Sequence, residues 1–148
     1  MRKPGLDEFH KLLELAFVYA GEMGQDISDL NIEAFKQMLF EIHSARENMY
    51  CYVTEDGDKF TGIIIGFIGT AWFSTVNMGI IGTIYVRPGY RGGRSALKLM
   101  RGFEKWAKDH HVSNIHFEAS TGITPERTYS FVGRLGYTEI GRTFQKEI

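Results

Sequence analysis

A short segment in the second half of the chain, residues 86–96, constrains the fold most. It reads Val-Arg-Pro-Gly-Tyr-Arg-Gly-Gly-Arg-Ser-Ala. A β-branched and aromatic run over residues 82–86 stops at a proline, a turn rich in glycine and arginine follows, and an amphipathic helical pattern then begins. A strand, a glycine turn and the first turn of a helix together expose backbone N–H groups to an anion. The segment therefore predicts a phosphate-binding connection between a strand and a helix.

Positive charge is concentrated at this turn and along the helix after it. Residues 87–109 hold seven basic side chains but only two acidic ones, whereas the whole chain of 148 residues has a net charge of −1. The basic residues are Arg87, Arg91, Arg94, Lys98, Arg101, Lys105 and Lys108. This concentration favours a bound phosphate over a merely solvated helix face. The G-K-[ST] ending of a P-loop and the G-x-G-x-x-G spacing of a dinucleotide fold are both absent from the sequence.

The composition is that of a globular domain and excludes several classes of protein. With 43% hydrophobic and 24% charged residues, residues 1–148 are expected to form a single domain. The near-neutral charge argues against nucleic acid or a membrane surface as a partner. The single cysteine, Cys51, excludes an internal disulfide and a cysteine-rich zinc site. The longest apolar stretch, residues 62–73, is short and broken by glycine, and no signal-peptide core is present, so a cytoplasmic protein is expected.

Apolar periodicity predicts the element order α-α-β-β-β-α-β-α-β. The predicted helices begin at Leu6, after an Asn31 cap, at Ser95 and after a Thr124 cap, and the predicted strands are Tyr50–Thr54, Thr61–Trp72, Gly79–Val86, Ser113–Ser120 and Tyr137–Ile148. An Asp-Gly pair at 56–57 indicates a hairpin between the first two strands. A hairpin meander followed by a β-α-β unit gives an α/β fold. Its central sheet is mixed and mostly antiparallel, with helices on both faces.

Two segments of the chain resemble the GNAT family of N-acetyltransferases, which move an acetyl group from acetyl-CoA to an amine. The first, V-R-P-G-Y-R-G-G-R-S-A-L-K-L-M from Val86, is similar to the family signature. In that signature Val-x-Pro ends a strand and Arg/Gln-x-x-Gly-x-Gly/Ala binds pyrophosphate. The second, S-F-V-G-R-L-G-Y-T-E-I-G-R from Ser130, is similar to the family's penultimate helix and closing strand. The resemblance implies a GNAT-like fold, acetyl-CoA as co-substrate, no metal, and a small-molecule or peptide amine as acceptor.

The resemblance also implies where the cofactor lies, in a split between the strand ending at Val86 and the strand Ser113–Ser120. Backbone groups near Ile84 and Val86 are expected to bind the pantetheine as an added strand would. The turn and helix start are expected to hold the pyrophosphate. The residues expected there are Arg91, Gly92, Gly93, Arg94, Ser95 and Ala96. The alignment puts Arg94 where the family has glycine, with Gly93 one position early.

His116 and Glu118 are the candidate general bases. They fall on one face of the predicted strand Ser113–Ser120, which the resemblance places beside the acetyl group. An ammonium has no lone pair, so its proton must pass to a carboxylate, an imidazole or a chain of water molecules. A water relay, or a face that merely packs under a helix, is the alternative interpretation.

Tyr129 is the candidate acid for the departing thiolate. The family's tyrosine falls on Val132 in this chain, and Tyr129 lies one helical turn earlier on the same face. The alternative is an aromatic at the core or rim of an amphipathic helix.

Several other features leave alternatives open. The acidic residues Glu22, Asp26, Asp29 and Glu33 would line the acceptor entrance by resemblance, or form a solvated loop. The segment 72–75 would border the acceptor pocket or form a hairpin corner, and His110-His111 is interpreted as a helix C-cap. Two other functions stay open beside the enzyme: a catalytically silent CoA-binding module, and a non-enzymatic interaction domain that presents the basic helix to an acidic partner. A homodimer is also left open.

Overall fold

The computed structural model describes residues 1–44, 47–70, 73–119, 121–141 and 146. The described α-helices are α1 (Phe9–Glu22), α2 (Ile32–His43), α3 (Ser95–Asp109) and α4 (Pro125–Arg134), and the strands are β1 (Met49–Asp56), β2 (Lys59–Thr70), β3 (Asn77–Val86) and β4 (Asn114–Phe117). This order confirms the predicted one through α4. Of the predicted closing strand, residues 137–141 are irregular, and residues 142–145, 147 and 148 lie outside the described part.

Contacts divide the chain into two compact units, Met1–Phe117 and Glu118–Ile148. The first unit holds the four-stranded sheet in the order β1-β2-β3-β4. The pairs β1–β2 and β2–β3 are antiparallel and β3–β4 is parallel, which confirms a mixed, mostly antiparallel sheet. In the first hairpin Asp56 pairs with Lys59, and Gly57 takes the left-handed conformation, φ +57°, that the tight turn requires.

Helices cover both faces of the sheet in the first unit. On one face α1 and α2 pack against the strands through a buried cluster: Leu12, Leu15, Leu39, Ile42, Cys51, Val53, Phe60, Ile63 and Tyr85. Cys51 is 1% exposed and unpaired, as expected of a small apolar core residue. On the other face the fully buried Phe103 of α3 lies against Gly66 and Gly79. At Gly66 a side chain would clash with the Phe103 ring and approach the Ile80 carbonyl oxygen to 2.8 Å, so glycine is what allows α3 to lie this close.

Strand β3 continues past its pairing with β4. The parallel ladder runs only from Met78↔Asn114 to Ile81↔Phe117. The antiparallel register with β2 shifts at Ile65/Gly66, which leaves Gly82 as an extra residue in β3. Because a bulge bends and twists its strand, the ladder to β4 ends there. Within the unit Met1–Phe117, residues 82–86 therefore have a strand partner only on the β2 side.

This ending corrects the predicted strand Ser113–Ser120, which is too long. The strand stops at Phe117, and Ser120 lies outside the described residues. For the predicted strand Thr61–Trp72, the structure describes β2 as Lys59–Thr70, and residues 71 and 72 lie outside the described part.

The two predicted helix caps have different outcomes. The side chain of Asn31 accepts a hydrogen bond from the Ala34 N–H at 2.9 Å, which confirms the α2 cap. Thr124 makes no side-chain cap bond because it takes a left-handed conformation, φ +44°, so that part of the prediction is wrong. Pro125 does occupy the first turn of α4.

Candidate cofactor site and active site

The turn between β3 and α3 leaves backbone donors open at the start of the helix. A 3₁₀ helix, Pro88–Tyr90, follows β3, and Gly92 then reverses the chain with φ +84°. The N–H of Lys98 bonds the Arg94 carbonyl at 2.9 Å, and the donors before it lie in the first turn, where an α-helix supplies no partner. Among the residues that the structure describes, no atom lies within 4 Å of a Cβ built at Gly92, so space is open beside the turn at this residue. An anion such as pyrophosphate fits this arrangement.

Arg94 occupies the N-cap position of α3 without strain. Its φ of −87° and ψ of −3° lie in the right-handed region, which any residue adopts. The left-handed conformation that the turn needs is supplied by Gly92 instead. Arginine in place of the family's glycine is therefore compatible with the fold. The side chain of Arg94 is exposed at the N-terminus of α3.

Arg91 is held by three groups of the protein. Its Nε donates to the Val86 carbonyl at 2.7 Å, and its two terminal nitrogens donate to the two Glu22 carboxylate oxygens at 2.9 and 2.6 Å. The guanidinium also lies 5.4 Å from the centre of the Tyr85 ring, and the Tyr85 hydroxyl donates to the same carboxylate. Glu22, for which the sequence left open the acceptor entrance or a solvated loop, thus ties the end of α1 to the turn before α3. No local pattern signals this pair, since 69 residues separate the partners.

The environment of this cluster shifts two pKa values. Partial burial works to raise the pKa of Glu22, but the hydrogen bonds from Arg91 and Tyr85 outweigh it and leave the pKa below its ordinary value. The pKa of Tyr85 is raised, mainly by burial and to a smaller extent by the hydrogen bond to Glu22. At neutral pH the cluster therefore holds an ionised carboxylate and a protonated phenol.

Not every basic residue of the segment is available to a ligand. Arg87 is 6% exposed and donates to the Phe60 carbonyl and the Glu14 carboxylate, each at 2.8 Å. On α3, Arg101 pairs with Glu104 at 2.7 Å and Lys105 pairs with Asp109 at 2.6 Å. These ion pairs reduce the positive field that the sequence predicts along the helix.

The register of β3 places alternate backbone groups on its open edge. The Arg87 N–H donates to the Thr61 carbonyl at 2.9 Å, in line with the pairs Gly62↔Val86 and Ile63↔Tyr85. Because hydrogen-bonded pairs alternate in an antiparallel ladder, the backbone groups of Ile84 and Val86 point away from β2. They face the side on which β3 has no further strand within Met1–Phe117.

Strand β4 carries His116 but not Glu118. His116 pairs with Ile80, whereas Ile115 and Gly79 lie under Phe103, so the half-buried His116 belongs to the sheet face away from α3. Glu118 lies one residue after the end of β4, so the strand face predicted to carry both residues holds only His116, and the general-base role of each stays a prediction. Tyr129 lies on α4 in the second unit and is 60% exposed.

The end of α3 carries the predicted histidine cap. The ring of His110 hydrogen-bonds the Trp106 carbonyl at 2.8 Å, which confirms a capping role at the end of α3. Among residues 1–44, 47–70, 73–119, 121–141 and 146, no group of three or more His, Cys, Asp or Glu is placed to hold a metal. None of the helices in that part of the chain is both long and apolar enough to cross a membrane. In the predicted acidic loop, the side chain of Asp26 accepts a hydrogen bond from the Ser28 N–H at 2.9 Å. In the segment 72–75, Phe73 is 75% exposed.

Comparison with known proteins identifies the family. The family model described as acetyltransferase (GNAT) family matches residues 7–137, and the chain belongs to this family. No curated protein sequence matches the chain.

Solved structures share the fold at low identity. Glucosamine-6-phosphate N-acetyltransferase from Arabidopsis thaliana has a TM-score of 0.74 at 16% identity, over 99% of this chain and 95% of that one. An aminoglycoside acetyltransferase from an uncultured soil metagenomic sample, solved with sisomicin, has a TM-score of 0.72 at 16% identity, over 100% and 93%. Ribosomal-protein-alanine N-acetyltransferase from Brucella melitensis biovar Abortus 2308 has a TM-score of 0.70 at 14% identity, over 98% and 96%.

Proposed function

We propose that this protein is an acetyl-CoA-dependent N-acetyltransferase whose acceptor, a primary amine, attacks the thioester directly. The observation that carries the proposal is the continuity of two backbone surfaces. The open edge of β3, with the backbone groups of Ile84 and the N–H of Val86, leads along the chain into the backbone donors before Lys98, for which the described residues supply no backbone partner. An extended amide chain that ends in a pyrophosphate is the kind of ligand that suits both surfaces.

Each part of the proposed site has a defined task. Ile84, through its backbone N–H and carbonyl, and Val86, through its backbone N–H, hydrogen-bond the pantetheine as an added strand would, while the Val86 carbonyl holds Arg91. The N–H groups of residues 92–96 hold the pyrophosphate, and Arg94 adds a cation at the same place. Arg91 keeps the turn attached to Val86 and to the end of α1 through its bonds to Glu22. When bound, acetyl-CoA supplies a thioester carbonyl carbon. The amine nitrogen forms a bond to this carbon, while the bond between the carbon and the thioester sulfur breaks.

Proton transfer completes the reaction. The acceptor ammonium must lose a proton before attack, and His116 or Glu118 takes it, directly or through water. The departing sulfur needs a proton, which Tyr129 donates or water supplies. Positioning of the amine and polarisation of the carbonyl contribute more to the rate than this proton transfer.

One sequence feature favours a second candidate, a CoA-binding module without catalysis. Val132 stands where the family has its general-acid tyrosine. This module would bind CoA but would release no thiol with any amine.

We place the protein in the cytoplasm with a small-molecule or peptide amine as acceptor, and a homodimer stays open.

The cofactor assignment is tested by inverting the charge of Arg91. Arg91→Glu repels both the Glu22 carboxylate and the pyrophosphate, so we expect CoA to lose its stabilising shift of the melting temperature. Lys36→Glu, an equal change at an exposed residue of α2, is the matched control and keeps the shift. An unchanged CoA shift in Arg91→Glu would contradict the pyrophosphate assignment. Thiol release from acetyl-CoA across an amine panel then separates the enzyme from the silent module.

A further inference from the structure

An apolar cavity of about 210 Å³ lies between the sheet and the two N-terminal helices. Its lining includes Leu12, Leu15 and Ala16 of α1, Ile63 of β2, and Thr83 and Tyr85 of β3. We infer that this cavity receives a compact apolar substituent of the acceptor, which makes the acceptor a hydrophobic primary amine. This inference rests on the proposed transferase function and narrows its acceptor.

The cavity and the proposed cofactor edge share one strand. The side chains of Thr83 and Tyr85 line the cavity, and between them Ile84 turns its backbone groups to the open edge of β3. Gly82, the bulge residue, comes directly before Thr83 and ends the ladder to β4. A substituent seated in the cavity therefore keeps its amine beside the edge that would hold the thioester arm.

Burial defines a closed end and a mouth. Leu12, Leu15 and Ile63 are 2%, 1% and 6% exposed and close the cavity toward the core. Ile65 and Thr83, next along the strands, are only half-buried. The cavity therefore opens away from Leu12, Leu15 and Ile63, and part of its mouth borders the Gly82 side, where a bound amine would have its apolar group inward.

The lining sets the chemistry of the occupant. None of the lining residues carries a charge, and their only side-chain polar groups are the hydroxyls of Thr83, Tyr19 and Tyr85. The Tyr85 hydroxyl is already bonded to Glu22. A polycation or a sugar phosphate would lose its hydration here without finding compensating partners. The volume suits one six-membered ring or a short branched alkyl group, since apolar cavities of about 150 Å³ bind benzene.

A graded amine series tests the inference. With acetyl-CoA as donor, we expect kcat/KM to rise about fourfold per methylene from ethylamine to butylamine, and to be high for 2-phenylethylamine. Spermidine, glucosamine 6-phosphate and an aminoglycoside should be poor acceptors. Efficient transfer to these polar amines, with no gain along the alkyl series, would overturn the inference while leaving the transferase function intact.

A cavity-filling variant supplies the second test. Ala16→Leu narrows the cavity, so we expect the ratio of kcat/KM for 2-phenylethylamine to that for ethylamine to fall about tenfold, while the melting shift caused by CoA changes little. Ala34→Leu makes the same change at an exposed residue of α2 and serves as the control. A raised melting temperature in Ala16→Leu with all amine constants unchanged would identify the space as a packing void.

Direct binding keeps the inference separate from the transferase function. Calorimetry with 2-phenylethylamine should detect binding to the native protein and weaker binding to Ala16→Leu. If this holds but no amine releases thiol, the cavity assignment stands and the proposed transfer reaction fails. If neither protein binds the amine, the cavity assignment fails.

Discussion

The carboxylate of Glu22 and the guanidinium of Arg91 form a two-pronged ion pair, with nitrogen–oxygen distances of 2.9 and 2.6 Å. Glu22 is the last residue of α1 and Arg91 lies in the turn before α3, so the pair joins two distant segments. Bidentate pairs of this kind fix orientation as well as distance. The turn is therefore oriented before any ligand arrives.

Glu22→Gln removes one carboxylate charge and one of the two acceptor oxygens. Because Arg91 is then held less firmly, we expect CoA to bind about three- to tenfold more weakly in calorimetry. Glu33→Gln, which removes a charge from the exposed start of α2, should leave the affinity unchanged. Tighter CoA binding in Glu22→Gln would show instead that Glu22 competes with the phosphates for Arg91.

Arg94→Ala tests the arginine that stands in place of the family's glycine. Its backbone is already right-handed, so the substitution changes charge without releasing strain. We expect CoA affinity to fall about three- to tenfold at low salt, and the loss to shrink as salt screens the exposed charge. Titrations at several salt concentrations check this, and an equal loss at every concentration would argue against a phosphate contact.

Gly92→Ala and Gly93→Ala form a matched pair in the same turn. Only Gly92 is left-handed, φ +84°, so an alanine there should lower the free energy of unfolding by about 1–2 kcal/mol. Gly93 has room for a Cβ, with Tyr90 O the nearest atom at 3.8 Å, and its substitution should stay within about 0.5 kcal/mol. Urea denaturation distinguishes the two, and equal effects would contradict the left-handed turn.

Gly66→Ala tests the close approach of α3 to the sheet. The new methyl group would meet the Phe103 ring and the Ile80 carbonyl, and neither can move without shifting a helix or a strand. We expect a loss of about 2 kcal/mol or more in the free energy of unfolding. Gly69→Ala, whose nearest neighbour is the Ile80 side chain at 3.4 Å, is the control. If both variants are equally stable, the packing of Phe103 is not as described.

Tyr85 predicts the behaviour of the protein in alkali. Its raised pKa means that the folded state holds the phenolic proton more tightly than the unfolded chain, where tyrosine titrates near pH 10. The stability this contributes is complete below about pH 10 and is lost as the pH rises through the folded-state pKa. We therefore expect the free energy of unfolding to fall above about pH 10, and to fall less steeply in Tyr85→Phe. Parallel pH curves for the two proteins would contradict this.

Local patterns predicted the fold well because they act over a few residues. Asn31 as a cap, Gly57 as a turn and the strand–turn–helix around Gly92 each depend on near neighbours. The length of β4 was overestimated because its end is set by a bulge in another strand, at Gly82. The role of Glu22 also depends on a distant part of the chain, because its partner Arg91 lies 69 residues away, so no local pattern predicts it. For Glu118 and Tyr129 the sequence supplied candidates by resemblance, and their roles stay predictions.

The outward-facing backbone of Ile84 and Val86 has a consequence for how such a protein evolves. Every residue except proline brings the same N–H and carbonyl to a strand edge, so the pantetheine recognition proposed there would not depend on which other side chains occupy the two positions. Their side chains are free to change with the packing around them, provided the strand and its bulge persist. A binding edge of this kind is inherited as backbone shape, and it can outlast nearly all recognisable similarity between two sequences.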